Sequence, residues 1–322
     1  MTKCKKLKAA GIVLFSLFMA FNLSAQDRSE LIKVYNAGAK AAQTNVDSAI
    51  IYFENAISIA DKIGESANDI KQNSIKVLPG LYLKSASGMY TAKKPDADVI
   101  RTAKKAVATG EKYGNASVKE SANKILAQSY TRMAGEYFKS KDYDKAIATF
   151  DSVLAINPDN AAAIYNKALI YRAQNNSDAL GQTVDQYLTK LPAGDEKGRQ
   201  ASKMALEYFR AAGSKANQAN QLDEALNLLN KAAKYGEDKD LFYYFADVYN
   251  KQKKFDQGVE YAQKGLALET GTADAKAKFY FQLGLAQEGK GQTAEACESF
   301  KNSLFGAFAE PSKAKRTNLK CQ

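Results

Sequence analysis

The chain of 322 residues contains no histidine and no tryptophan, five prolines and three cysteines. Each scarcity closes off a class of function. Without histidine there is no imidazole base, no Ser-His or Cys-His nucleophile pair, and the commonest metal ligand is missing. Thiols this few cannot build a structural zinc cluster on their own. Few prolines let helices run long, and no stretch alternates apolar and polar residues for long enough to form a strand. The expectation is an all-α chain that is not an enzyme and carries no metal or other cofactor.

What is present at the N-terminus has the form of an export signal. Lys3, Lys5, Lys6 and Lys8 precede an apolar stretch from Ala9 to Phe21, and Leu23-Ser24-Ala25 stands before Gln26. The apolar stretch is too short for a bilayer span, which needs about 20 residues. Residues 1–25 therefore read as a signal peptide removed after Ala25, leaving no integral membrane segment and placing the mature chain in the periplasm or outside a bacterial cell. Cys4 precedes the apolar core and so is no lipoprotein anchor. Cleavage lowers the formal charge from +11 to +7. Part of the remaining excess lies in a basic tail, 307–322, with Lys313, Lys315, Arg316 and Lys320 and no acid after Glu310. Elsewhere acids and bases alternate, the pattern of a solvated helix surface and not of a nucleic-acid stripe. Cys297 and Cys321 remain after cleavage. In an oxidising compartment they either pair or stay as one helix thiol and one tail thiol.

Internal repetition decides how the helices are arranged. The clearest unit reads Tyr130-x2-Met133-Ala134-x2-Tyr137, then Ala146-x3-Phe150, Val153 and Pro158. Small residues at two marked places let antiparallel helices approach closely, while large ones fill the space between pairs. This unit resembles the tetratricopeptide repeat. Weaker copies begin near Leu83, Ile164, Phe209, Phe242 and Tyr280, with a degenerate first unit represented by Ala49-x3-Phe53. The resemblance implies a right-handed superhelical solenoid of about six to seven helix pairs. Second-helix landmarks at Ala49, Val99, Ala146, Ala179, Ala225, Gly258 and Ala296 are unevenly spaced, which predicts long helices near 67–90 and 117–139. A loop at 191–198 is the candidate boundary between N-terminal repeats, 26–192, and C-terminal repeats, 193–306. Asp47 and Asp144 are expected to cap second helices.

Several motifs imitate other functions. Gly284-x4-Gly289-Lys290 has phosphate-loop spacing, but it sits on a helix and its turn, and Gly291 stands where a Ser or Thr must hold magnesium. Asp195 with Glu196 and Asp238 with Asp240 lie at helix ends, with nothing placing them across a pocket. Asn115-Ala-Ser117 and Asn175-Asn-Ser177 fit a glycosylation sequon, informative only in a host with that machinery.

The family resemblance also implies where partners bind, on the inward face of the first helices between the core positions. Carried over residue by residue, those places are Arg132 and Phe138, then Tyr165, Leu169 and Arg172, then Arg210, Tyr243 with Asp247, and Phe281 with Leu285. Arginines interleaved with aromatics suit a peptide or protein with apolar side chains and some negative charge. The Lys and Asn pair with which some members of the family clamp a terminal carboxylate is missing. The expected partner is a protein or peptide; neither nucleic acid nor a small-molecule ligand is expected. A structural role in an envelope assembly, or glycan and nutrient capture, is the alternative.

Overall fold

A computed structural model of the chain describes residues 27–322; the expected signal peptide lies outside the described residues. The described residues form fifteen α-helices and no strand. They divide into two compact units, one ending at Asn160 and the other running from Ala161 to Gln322. The first unit holds α1 (27–44), α2 (Val46–Ile63), α3 (Asn68–Thr91), α4 (Asp96–Lys112), α5 (Ala116–Lys139) and α6 (Tyr143–Ile156). The second holds α7 (Ala161–Ala173), α8 (Ser177–Leu188), α9 (Glu196–Gln218), α10 (Leu222–Ala233), α11 (Lys239–Lys251), α12 (Phe255–Leu268), α13 (Ala273–Gly289), α14 (Thr293–Asn302) and α15 (Ala309–Asn318). Each unit is an all-α solenoid of consecutive helix pairs. The loop at 191–198 connects α8 to α9 inside the second unit.

One turn, repeated, joins first helix to second. Lys93, Lys141, Asn175, Asn220 and Lys253 all adopt positive φ, between 54° and 62°. Gly291 takes the same place between α13 and α14 with φ 76°. At each, the following residue's N–H reaches back to the carbonyl near the end of the first helix, as from Asp142 to Tyr137 and from Asn176 to Tyr171, both at 2.9 Å. This left-handed cap satisfies orphan carbonyls and reverses the chain in a few residues. The glycines of the phosphate-loop imitation belong to it: Gly291 supplies the positive φ, and a Cβ on Gly289 would overlap the Phe255 ring.

Small residues face large ones across each pair. A Cβ on Gly213 would lie 2.8 Å from Leu229, and one on Gly284 would lie 2.8 Å from Phe300. Ala134 with Phe150 and Ala168 with Val184 keep the same separation along the chain, and all four are buried. Ala146, Val153, Leu229, Phe300 and Ala296 are fully buried, and the core of each unit is a succession of such clusters between its helices.

Four expectations need correction. In α8 the landmark is Leu180, fully buried, and not its partly exposed neighbour Ala179. Leu180, Val184 and Tyr187 occupy the places held by Ala146, Phe150 and Val153 in α6, so the helix is regular, with a larger residue at the tight position. The helix α2 is capped by the Asn45 side chain, which accepts from the Ser48 N–H, while Asp47 lies in the first turn and accepts from Ser85 Oγ at 2.7 Å. Asp142 and not Asp144 is the N-cap residue of α6. The first unit is complete: α1 packs through Leu31, and Gly38 lets it approach Phe53. The polar Lys33 and Asn36 lie on the exposed side of that helix.

The tail beyond residue 307 is also a helix. Its Ser312 is fully buried and shares a 2.6 Å hydrogen bond with Ser303. Lys315 pairs with Glu288 at 2.6 Å, and Arg316 donates to the Cys297 carbonyl. A disulfide joins Cys297 to Cys321, with Cα atoms 5.6 Å apart, so α15 covers the last helix pair.

Candidate functional site

The first helices of neighbouring pairs lie side by side in each unit, and their shared face differs between the two. In the first unit, α3 and α5 flank an open cavity of about 860 Å³ whose walls include Gly80, Leu83, Lys84, Ser87, Gly88 and Ile125. A Cβ added to Gly80 or Gly88 would meet nothing within 4 Å. Glycine inside a helix costs about 1 kcal/mol relative to alanine, and packing within this chain gives no reason for it at either position. Val77, one turn before Gly80, is exposed. The repeat pattern marked Leu83 as a packing position at the start of its copy and gave no reason to single out Gly80, Lys84, Gly88 or Ile125.

At the edge of that face Arg132 is committed to its own chain. Its guanidinium holds Asp96 through two hydrogen bonds of 2.6 and 2.8 Å and lies 5.0 Å from the centre of the Tyr90 ring. The Asp96 side chain is 7% exposed, and the hydrogen bond to it raises the arginine's pKa further. Phe138 packs on Tyr143, 6.0 Å between ring centres, across the α5–α6 turn.

In the second unit most of the expected groove residues are joined to one another or to the core. Arg210 on α9 pairs with Asp238, the N-cap of α11, and lies 3.9 Å from Asp240. Asp240 also binds Lys278 of α13 at 2.6 Å. Burial raises the Asp240 pKa, but the hydrogen bond and charge of Lys278, with Arg210 and Lys239, outweigh it and leave the carboxyl below its ordinary value. Asp247 accepts from Asn217 of α9 at 2.5 Å and from Gln282 of α13 at 3.1 Å, and pairs with Lys251 at 2.9 Å. A polar ladder thus crosses α9, α11 and α13. Asp238 and Asp240 were read from the sequence only as solvated charges at a helix end, and Asn217, Lys278 and Gln282 were missed, although the recurrence of a charged or amide residue at matching first-helix places was there to be noticed.

The aromatic members are similarly engaged. Tyr243 meets the Phe279 ring edge-on at 6.2 Å with Lys278 over its face, and Phe281 contacts Phe300 and Phe308 at 5.8 and 5.4 Å. Leu169 packs on the core of the second unit, and Leu285 is half-buried. Tyr165 lies 5.0 Å from Tyr187. Arg172 alone of the three arginines is exposed with no ion pair among the described residues.

The paired small and large residues, the left-handed turn repeated six times and the first-to-first helix contacts define one structural unit used again and again. The tetratricopeptide-repeat profile matches residues 137–192 and again 277–304. The chain carries tetratricopeptide repeats. The first matched segment runs from the end of α5 through α8, and the second covers most of α13 and all of α14. An 88-residue part of this repeat protein, 27% of its length, is 38% identical to serine/threonine-protein phosphatase 5 of Homo sapiens. That part spans only 18% of the phosphatase. Among solved structures, the repeat protein is similar to the MamA protein, with 20% identity and TM-score 0.34 over 61% of this chain and 97% of that one. It is also similar to a tetratricopeptide repeat protein from Parabacteroides merdae, with 17% identity and TM-score 0.30 over 92% and 99%. The repeats make an interaction scaffold for protein or peptide partners. Among the described residues no helix is long and apolar enough to cross a membrane, and no cluster of carboxylates and thiols is arranged to hold a metal.

Proposed function

We propose that this tetratricopeptide-repeat protein is a non-catalytic scaffold of the bacterial envelope, exported by residues 1–25, that holds an extended segment of a protein partner between α3 and α5. The observation carrying this reading is the contrast between the two first-helix faces. In the second unit the groove positions are spent on a self-satisfied ladder, whereas the α3–α5 face keeps an open cavity with helix glycines that nothing in the chain fills. Gly80 and Gly88 admit a partner backbone closely, Leu83 and Ile125 supply apolar contact, and Lys84 favours a segment bearing some negative charge, while Lys124 at the rim is paired with Glu120. The motif at the N-terminus, a basic start followed by a short apolar run and Leu23-Ser24-Ala25, supports delivery outside the cytoplasm.

Two measurements test the reading. N-terminal sequencing of the protein from its native cell is expected to begin at Gln26, and an intact Lys3 in an integral membrane fraction counts against export. Gly88→Leu fills the cavity without touching the core. Affinity purification with this variant is expected to lose the wild-type partner at unchanged melting temperature. Undiminished recovery moves the contact to the second helices or the ends, as expected of a structural strut.

A further inference from the structure

A second, smaller pocket lies within the second unit, enclosed by the first turns of α7, the end of α8 and the start of α9. Its volume is about 330 Å³, and Tyr165, Asn166, Tyr187, Leu191, Lys197 and Gln200 line it. The rings of Tyr165 and Tyr187 stand 5.0 Å apart at 36° and form an aromatic wall. Tyr187 is 4% exposed, yet its hydroxyl makes no hydrogen bond among the described residues. That hydroxyl stays within reach of water, so it is a free donor at the pocket wall and not a stranded one. Burial first, then the neighbouring Tyr165 and the Asp195 carboxylate, push its pKa up, so the group stays a neutral donor at physiological pH and the carboxylate of a ligand must sit on the Lys197 side of it, away from Asp195. Lys197 is exposed at the mouth, and its ammonium makes no ion pair among the described residues. The Asn166 amide donates to the Ala162 carbonyl at 2.9 Å.

We propose that this pocket binds an aromatic ring carrying a carboxylate, the ring against Tyr165 and Tyr187 and the carboxylate between the Tyr187 hydroxyl and the Lys197 ammonium. The volume is that of one ring with its acid group and falls at the small end of ligand pockets. A free phenol donor beside a lysine with no ion pair suits an anionic acceptor, and the two rings suit a flat apolar body. A sugar would use the rings but leave the lysine without a partner. The site belongs to the second unit alone and stands or falls independently of the scaffold reading, which concerns the first. The same chemistry occurs in a free aromatic acid and in the C-terminal aromatic residue of a polypeptide.

Titration of the full chain, with tyrosine rings labelled for NMR, tests the site using N-acetyl-L-phenylalanine as probe. Tyr165 and Tyr187 resonances are expected to shift, with at least fivefold weaker binding of N-acetyl-L-phenylalanine amide. Lys197→Gln is expected to erase that preference, Tyr187→Phe to weaken acid binding severalfold, and Ala162→Trp to block it, each at wild-type melting temperature. An octapeptide ending in phenylalanine that binds more tightly than the acid assigns the site to polypeptide C-termini; equal or weaker binding assigns it to free aromatic acids. The proposal is overturned if neither ring responds to the acid, if glucose shifts the same rings and the acid does not, or if Lys197→Gln leaves the preference for the acid intact.

Discussion

Ala146 and Ala148 differ by two places on α6 and by everything in environment. The first is fully buried against its own pair, and the second is exposed. Ala146→Leu is expected to cost about 1–3 kcal/mol by overpacking a site with no spare volume, and Ala148→Leu close to nothing. Equal shifts in thermal melting would contradict the repeat register. A similar contrast applies to two arginines that the repeat pattern treats as equivalent. Arg210 is partly buried and holds the cap residue of α11, so Arg210→Ser is expected to lower stability by about 1 kcal/mol. The exposed Arg172→Ser should leave the melting curve in place. This distinction was invisible in the sequence, since the pairs Arg210–Asp238 and Arg132–Asp96 join residues that only the stacking of successive helix pairs brings together.

At the scale of elements, what could be read in advance was local. Helix pairs, the long α3 and α5, and the turn at Gly289–Gly291 follow from the spacing of small and large residues within about 34 positions. What escaped was phase and cap. Ala179 drew the eye because it is small, yet the repeated left-handed turn fixes where α8 begins and delivers Leu180 to the core. The Glu269 side chain shows how such connections are locked: it accepts from the Gly271 N–H and pairs with Lys239 at 2.7 Å while being 4% exposed. The lysine hydrogen bond, then that of Gly271, lowers its pKa below the ordinary 4.5. A lowered carboxyl contributes stability that is present above its unfolded value and lost as pH falls through the folded one. Glu269→Gln is therefore expected to melt below wild type at neutral pH, and the two curves should converge under acid. Parallel curves down to pH 3 would remove this pair from the account of acid unfolding.

The capping helix α15 is a second element with its own test. The disulfide spans 24 positions and, in the chain-entropy view, is worth about 3 kcal/mol. Reduction is expected to raise amide exchange first in α15, where one buried serine and two surface contacts remain to hold it. Exchange that rises uniformly across α13, α14 and α15 would show that the last pair and its cap open as one body.

For the whole molecule, one repeated motif presents two different first-helix faces. In the second, first-helix side chains that the repeat family devotes to partners are tied into a ladder of carboxylates, amides and lysines from α9 to α13. In the first, α3 and α5 leave a cavity faced by glycine, serine and a few apolar residues. The claim that partners bind there can be tested by placing a photo-cross-linking residue at Ser87, which lines the cavity, and separately at Ala148 on the outer side of α6. After irradiation in the native cell, Ser87 is expected to capture a discrete protein and Ala148 none, with capture at Ser87 abolished by Gly88→Leu. Capture from Ala148 but not from Ser87 would contradict the assignment of the binding face.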